Sequence, residues 1–246
     1  TPFVATPAEP DAQGKLARHK AMVRYTDRAV GRLVDALDEL EIRDRTIVIF
    51  TTDNGTTRGI SARRNGRVVH GAKASLAEPG VCQPFLVNCP GLVPAGVVTD
   101  ALTDFTDLLP TFVELAGAEL PEGAKLGGRS IAPLITGRTD DGPRQWMLSM
   151  GFGAARLTDE GVVPRQEFTD RVIRDKRYKL WVLDGEPARL HDLNNDPTEE
   201  HNLIDSDDPA VVAAKKKLLA VLEAMPERDA PPRYDPTPAQ PWDRKP

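Results

Sequence analysis

The chain has 246 residues, 40% hydrophobic and 28% charged, with a formal net charge of −5, an ordinary globular composition. Its Lys and Arg are spread along the chain rather than gathered in one stripe, and with a pI near 5.5 this excludes a nucleic-acid footprint. No apolar run approaches the roughly 18 residues that cross a bilayer.

In chain order, Pro2, Pro7 and Pro10 predict an extended connector. A helix is predicted from Gln13 to Leu40, where Val23, Val30, Leu33, Val34, Leu37 and Leu40 recur at helical spacing opposite a charged face. The run Thr46–Thr52 is β-branched without polar alternation, as in a strand buried on both faces of a parallel sheet. A polar stretch from Asp53 to Gly71 follows, with a hairpin turn predicted at Asn65-Gly66. A second short buried strand is predicted at Phe85–Asn88, then a helix from Asp104 to Ala116 that stops at Gly117.

After Gly137 the texture changes. Arg138–Arg144 reads as a linker. Short strands at 146–150, 171–174, 178–183 and 189–191 predict an antiparallel sheet. Asp208-Pro209 is an N-cap and first-turn pair for a helix to Ala224, and the remainder is proline-rich. The expected class is α/β, with a partial parallel or mixed sheet and flanking helices over 1–137. A small α+β subdomain over 145–225 and a tail over 226–246 follow. The sequence opens on Thr1 rather than Met, so its native N-terminus is expected to lie elsewhere. Cys82 and Cys89 are too few for a disulfide framework and are expected to be buried, reduced thiols.

Asp53-Asn54-Gly55 directly follows the first strand. Asn-Gly is a turn signal, yet no partner strand starts at once, and ligands of α/β sheets gather at the carboxyl ends of strands. A carboxylate beside an amide offers hard oxygen donors for Ca²⁺ or Mg²⁺. Both can reach one ion only if the chain leaves strand geometry, which Gly55 would permit. Lys73, in the loop Gly71-Ala72-Lys73, is either a solvated charge or a point charge for an oxyanion. His70 is equally open.

These residues carry a resemblance. Leu33–Gly55 (LVDALDELEIRDRTIVIFTTDNG), Lys73–Gly91 (KASLAEPGVCQPFLVNCPG), Thr103–Gly117 (TDFTDLLPTFVELAG) and Gly128–Gly137 (GRSIAPLITG) resemble type I sulfatases of the alkaline phosphatase superfamily. So do Arg177–Leu180 and Leu190–Leu193, followed by Asp196-Pro197, Glu200 and Asn202-Leu203. The resemblance implies an alkaline-phosphatase-like fold, Asp53 and Asn54 as calcium ligands, and Lys73 as the residue contacting the sulfate ester. Glu78 and Gly80 fall in the family's Glu-Gly-Gly stretch, from which Pro79 departs. The Tyr-Lys and Leu-x-Asp-Leu motifs are implied to be structural.

The family's nucleophile is a cysteine or serine in Cys-x-Pro-x-Arg, oxidised to formylglycine. Cys82-Gln83-Pro84 begins that pattern, but Phe85 and Leu86 follow, and the segment matches a different part of the family. No nucleophile is therefore expected in this chain. The formylglycine, an Asp pair, a Lys/His pair and a Pro-His segment are expected upstream, and Thr1-Pro2 resembles the residues just after that histidine.

The implied activity is hydrolysis of a sulfate ester on a small molecule or glycan, in company with the upstream half of the catalytic domain. A formylglycine hydrate would attack sulfur while calcium and lysine stabilise the oxygens. Phosphate or phosphonate ester hydrolysis on the same scaffold, or a non-catalytic binding chain, are the alternatives.

Overall fold

A computed structural model describes residues 3–64, 66–151, 155–159, 161–164, 170–226, 238, 240 and 241. The chain divides into two compact units, one of 1–73 with 82–143 and one of 74–81 with 144–246.

In the first unit, helix α1 (Lys15–Glu39) starts after Gly14, a left-handed residue with φ 75°. The helical period of its apolar residues is realised, but Ala21 is the helix's buried residue, while Leu33 and Leu40 are 67% and 66% exposed. A 3₁₀ turn at Arg43–Arg45 leads to strand β1 (Val48–Thr51). Strands β2 (Ser61–Arg64) and β3 (Arg67–His70) form a hairpin, with Ser61 opposite His70 and Arg64 opposite Arg67. At its tip Gly66 has φ 80°, while Asn65 lies outside the described residues.

Among the described residues the first strand does not pair in parallel as expected. β1 is half-buried throughout and pairs antiparallel with β4 (Phe85–Asn88), Val48 opposite Asn88 and Thr51 opposite Phe85. An unbroken β-branched run reports burial and β propensity, not the direction of the neighbouring strand. Past β4, Cys89 is buried and its thiol donates to the Asp44 carbonyl at 3.2 Å. Cys82 is exposed instead of buried. It follows the one-turn helix α2 (Glu78–Val81) of the other unit, so it lies outside any strand.

Helix α3 (Leu108–Leu115) follows a 3₁₀ turn capped by Asp104. The wholly buried Asp107 accepts the Asp104 amide at 2.9 Å and the Arg129 amide at 2.8 Å. Thr111 accepts the Ile131 amide at 2.9 Å, fastening the approach to helix α4 (Ala132–Ile135). Gly128 is required here, because a Cβ would lie 1.8 Å from the Thr106 carbonyl oxygen.

The second unit has a conventional core. Strands β5 (Met147–Met150), β8 (Arg171–Arg174), β9 (Tyr178–Leu183) and β10 (Glu186–Asp192) form one antiparallel sheet, ordered β10-β9-β8-β5. The hairpin β6 (Ala155–Thr158) and β7 (Gly161–Pro164) interrupts the sequence order, a pair that the sequence pattern does not predict. Helix α5 (Pro209–Glu223) is capped by Asp208, whose carboxylate accepts from Ala210 and Val211. Its Val211, Ala214 and Leu218 pack with Ile173, Tyr178, Leu180 and Leu190, a burial of about 1.5–3 kcal/mol for each large side chain. The proline-rich tail falls almost wholly outside the described residues.

Candidate active site

At the end of β1 the chain leaves strand geometry over residues 53–55. The Thr52 hydroxyl donates to the Asn54 carbonyl at 2.9 Å, and the Asn54 amide nitrogen donates to the Gly55 carbonyl at 3.2 Å. Asp53 is exposed and Asn54 half-buried. The Asp53 carboxylate has no ion pair or hydrogen bond among the described residues. The left-handed glycines of the following stretch are Gly59 and Gly66, both at φ 80°.

The excursion then closes on itself. The Gly71 amide donates to the Ile60 carbonyl at 2.8 Å and the Lys73 amide to the Thr56 carbonyl at 2.9 Å. Ile60 itself is buried. A side chain at Gly71 is excluded because its Cβ would meet the Thr57 carbonyl oxygen at 2.2 Å. The close approach therefore depends on glycine. The clamp brings the Lys73 backbone to Thr56, two residues beyond Asn54.

The Lys73 side chain is exposed and has no ion pair among the described residues. Immediately after it, Ala74 holds φ 64°, a left-handed conformation unusual for a residue with a Cβ and common near functional sites. His70 is exposed, with its Nδ1 2.8 Å from the Ser61 hydroxyl across the hairpin.

A carboxylate and an amide suit a hard divalent cation, but they supply two of the six to eight oxygens Ca²⁺ takes. Among the described residues no group of three or more His, Cys, Asp or Glu is placed to hold a metal. Asp53 and Asn54 thus fit part of such a site.

A further set of polar residues is not predicted by the sequence pattern. In the second unit Lys179 is wholly buried. Its ammonium donates to the Leu76 carbonyl at 2.7 Å and to Glu78 and Glu199, each at 3.1 Å, using all three of its donors. Glu199 also accepts the Trp181 indole at 2.7 Å and the Glu78 amide at 2.6 Å. Arg174 pairs with Glu78 at 2.5 Å. Glu78 thus serves in a buried ion cluster that fastens the strip 74–81 to β9. The available signal was a lysine inside the apolar strand Tyr178-Lys179-Leu180, since a buried charge needs partners.

An exposed carboxylate, a half-buried amide and an exposed ammonium thus lie on the segment that leaves β1 and returns to Thr56 at Lys73. Residues 4–118 match the family model described as Sulfatase. Residues 70–227 match that of N-sulphoglucosamine sulphohydrolase, C-terminal. The chain is 33% identical over 211 residues to arylsulfatase A of Bos taurus, covering 78% of this chain and 40% of that one. It is 27% identical over 207 residues to an ulvan-active sulfatase of Formosa agariphila, covering 72% and 36%. The solved structure of Ps i-CgsB superposes with a TM-score of 0.68 at 26% identity, over 90% of this chain and 47% of that chain. The chain belongs to the type I sulfatase family and spans about two fifths of the length of these curated relatives.

Proposed function

We propose that this chain contributes the sulfate-contacting lysine, Lys73, and two calcium ligands, Asp53 and Asn54, to a sulfuric-ester hydrolase acting on a sulfated small molecule or glycan. The observation that carries the reading is the Thr56–Lys73 backbone clamp. It supports the reading by bringing the Lys73 backbone to Thr56, two residues beyond Asn54, and neither the Asp53 nor the Lys73 charge is neutralised among the described residues.

Lys73 would present its ammonium to a non-bridging sulfate oxygen and stabilise charge developing there. Asp53 and Asn54 would hold part of the coordination shell of Ca²⁺ or Mg²⁺. A bound divalent ion supplies positive charge to the ester oxygens. The nucleophile belongs to a Cys-x-Pro-x-Arg motif that this sequence lacks, so the reading assigns it to a further part of the catalytic domain.

The test is an aryl sulfate assay of the 246-residue chain alone and fused behind an upstream sulfatase segment bearing that motif. The expected outcome is no turnover alone and metal-dependent turnover in the fusion. Turnover by the chain alone would overturn the assignment of the nucleophile. Preference of the fusion for an aryl phosphate would move the activity to phosphoryl esters, and inactivity in both would favour a binding chain.

A further inference from the structure

We propose that the β2–β3 hairpin is a cationic arm that holds a second anionic group of a polyanionic sulfated glycan, while the ester to be cleaved lies at Lys73. The proposal rests on the reading of Lys73 given above. It names the substrate class as an oligosaccharide bearing more than one anion, rather than a small aryl sulfate.

Although cations are spread along the chain as a whole, this segment departs from that pattern. From Asn54 to Ala77 the sequence carries Arg58, Arg63, Arg64, Arg67 and Lys73 and not one Asp or Glu, in a chain of net charge −5. Arg63, Arg64 and Arg67 are exposed, and no carboxylate among the described residues pairs with them.

The hairpin itself has no use for this charge. Its register sets Arg64 directly opposite Arg67, and like charges across a strand pair are destabilising. A two-stranded hairpin is also marginal in water without further support. An anion bound at the tip would relieve that repulsion. Arginine suits that ligand, because its planar fork matches the oxygens of a sulfate or carboxylate two at a time.

The geometry ties the arm to the site. Its base is the clamp that carries Lys73 against Thr56 and Gly71 against Ile60. Three residue steps separate the pair Ser61–His70 from the tip pair Arg64–Arg67, about 10 Å of strand. That is further than one sugar ring spans. An anion at the tip and an ester at Lys73 would belong to different sugar units of one chain.

The experiment measures binding of a fluorescent dextran sulfate oligomer to the purified 246-residue chain by anisotropy, with uncharged dextran as control. The variant Arg63→Gln/Arg64→Gln/Arg67→Gln is compared with Lys20→Gln/Arg28→Gln/Arg32→Gln, which removes the same charge from α1. The hairpin variant is expected to bind about tenfold more weakly and with a shallower salt dependence, and the α1 variant within about twofold of the parent.

Equal losses in the two variants, undiminished binding by the hairpin variant, or tighter binding of a single-stranded oligonucleotide than of dextran sulfate would overturn the proposal. Aryl sulfate turnover by the parent fusion reports separately on the sulfatase reading. An inactive fusion would count against that reading while leaving the binding comparison decisive for the arm.

Discussion

At the scale of single residues, Lys73 and Lys179 are opposite uses of one side chain. Lys73 is exposed at the base of the hairpin and is assigned to charge that develops only during reaction. Lys73→Ala in the active fusion is therefore expected to lower kcat by roughly 10²–10³, the scale of one preorganised donor. A change below about threefold would leave it a surface charge. Lys179 is wholly buried and saturated by Leu76, Glu78 and Glu199. Removing one member of a buried ion cluster leaves its partners uncompensated, so Lys179→Met should destabilise the second unit by roughly 3–5 kcal/mol. Denaturant unfolding followed by tryptophan fluorescence checks this, because Trp146 and Trp181 belong to that unit and Trp181 donates to Glu199 within the cluster. A loss below about 1 kcal/mol would show that Arg174 and Trp181 suffice for the two glutamates.

At the scale of elements, the segment leaving β10 is held by carboxylates. Hydrogen bonds from Arg177, opposed by burial and joined by one from Asn195, hold the Asp192 carboxyl below its ordinary range. Burial pushes Asp196 up, but the amides of Glu200 and His201 and the His191 ring outweigh it, so its pKa is also lowered. Depressed folded-state values mean that the unfolded chain takes up protons first as the pH falls. The stability these groups add is complete above the unfolded pKa of about 3.9 and is lost as the pH drops through the lower folded values. Denaturant midpoints of the second unit are thus expected to fall between about pH 5 and about pH 2. Asp192→Asn should lower the midpoint at neutral pH and flatten that acid limb. An unchanged acid limb in the variant would place the proton-linked stability elsewhere.

At the scale of the whole molecule, the two units differ in how much of their architecture the sequence carries. The second is legible almost strand by strand, because its sheet is local and antiparallel and its helix announces itself with Asp208-Pro209. Its hairpin at Ala155–Pro164 is not, being short and lacking a strong turn pair. In the first unit the sequence alone determined α1, both β1 and β4, and the motif positions of Asp53, Asn54 and Lys73. These depend on local period, β propensity and residue type, which neighbours along the chain specify. Tertiary structure decided that β1 and β4 run antiparallel and that Gly71 and Ile60 close the hairpin onto Thr56. It also set Arg64 facing Arg67, and gathered Glu78, Arg174, Lys179 and Glu199 into one buried cluster. Those outcomes join residues up to 121 positions apart, as in the Glu78–Glu199 hydrogen bond. Strand direction and charge pairing at such separation follow from which surfaces meet, and no window of sequence contains that information.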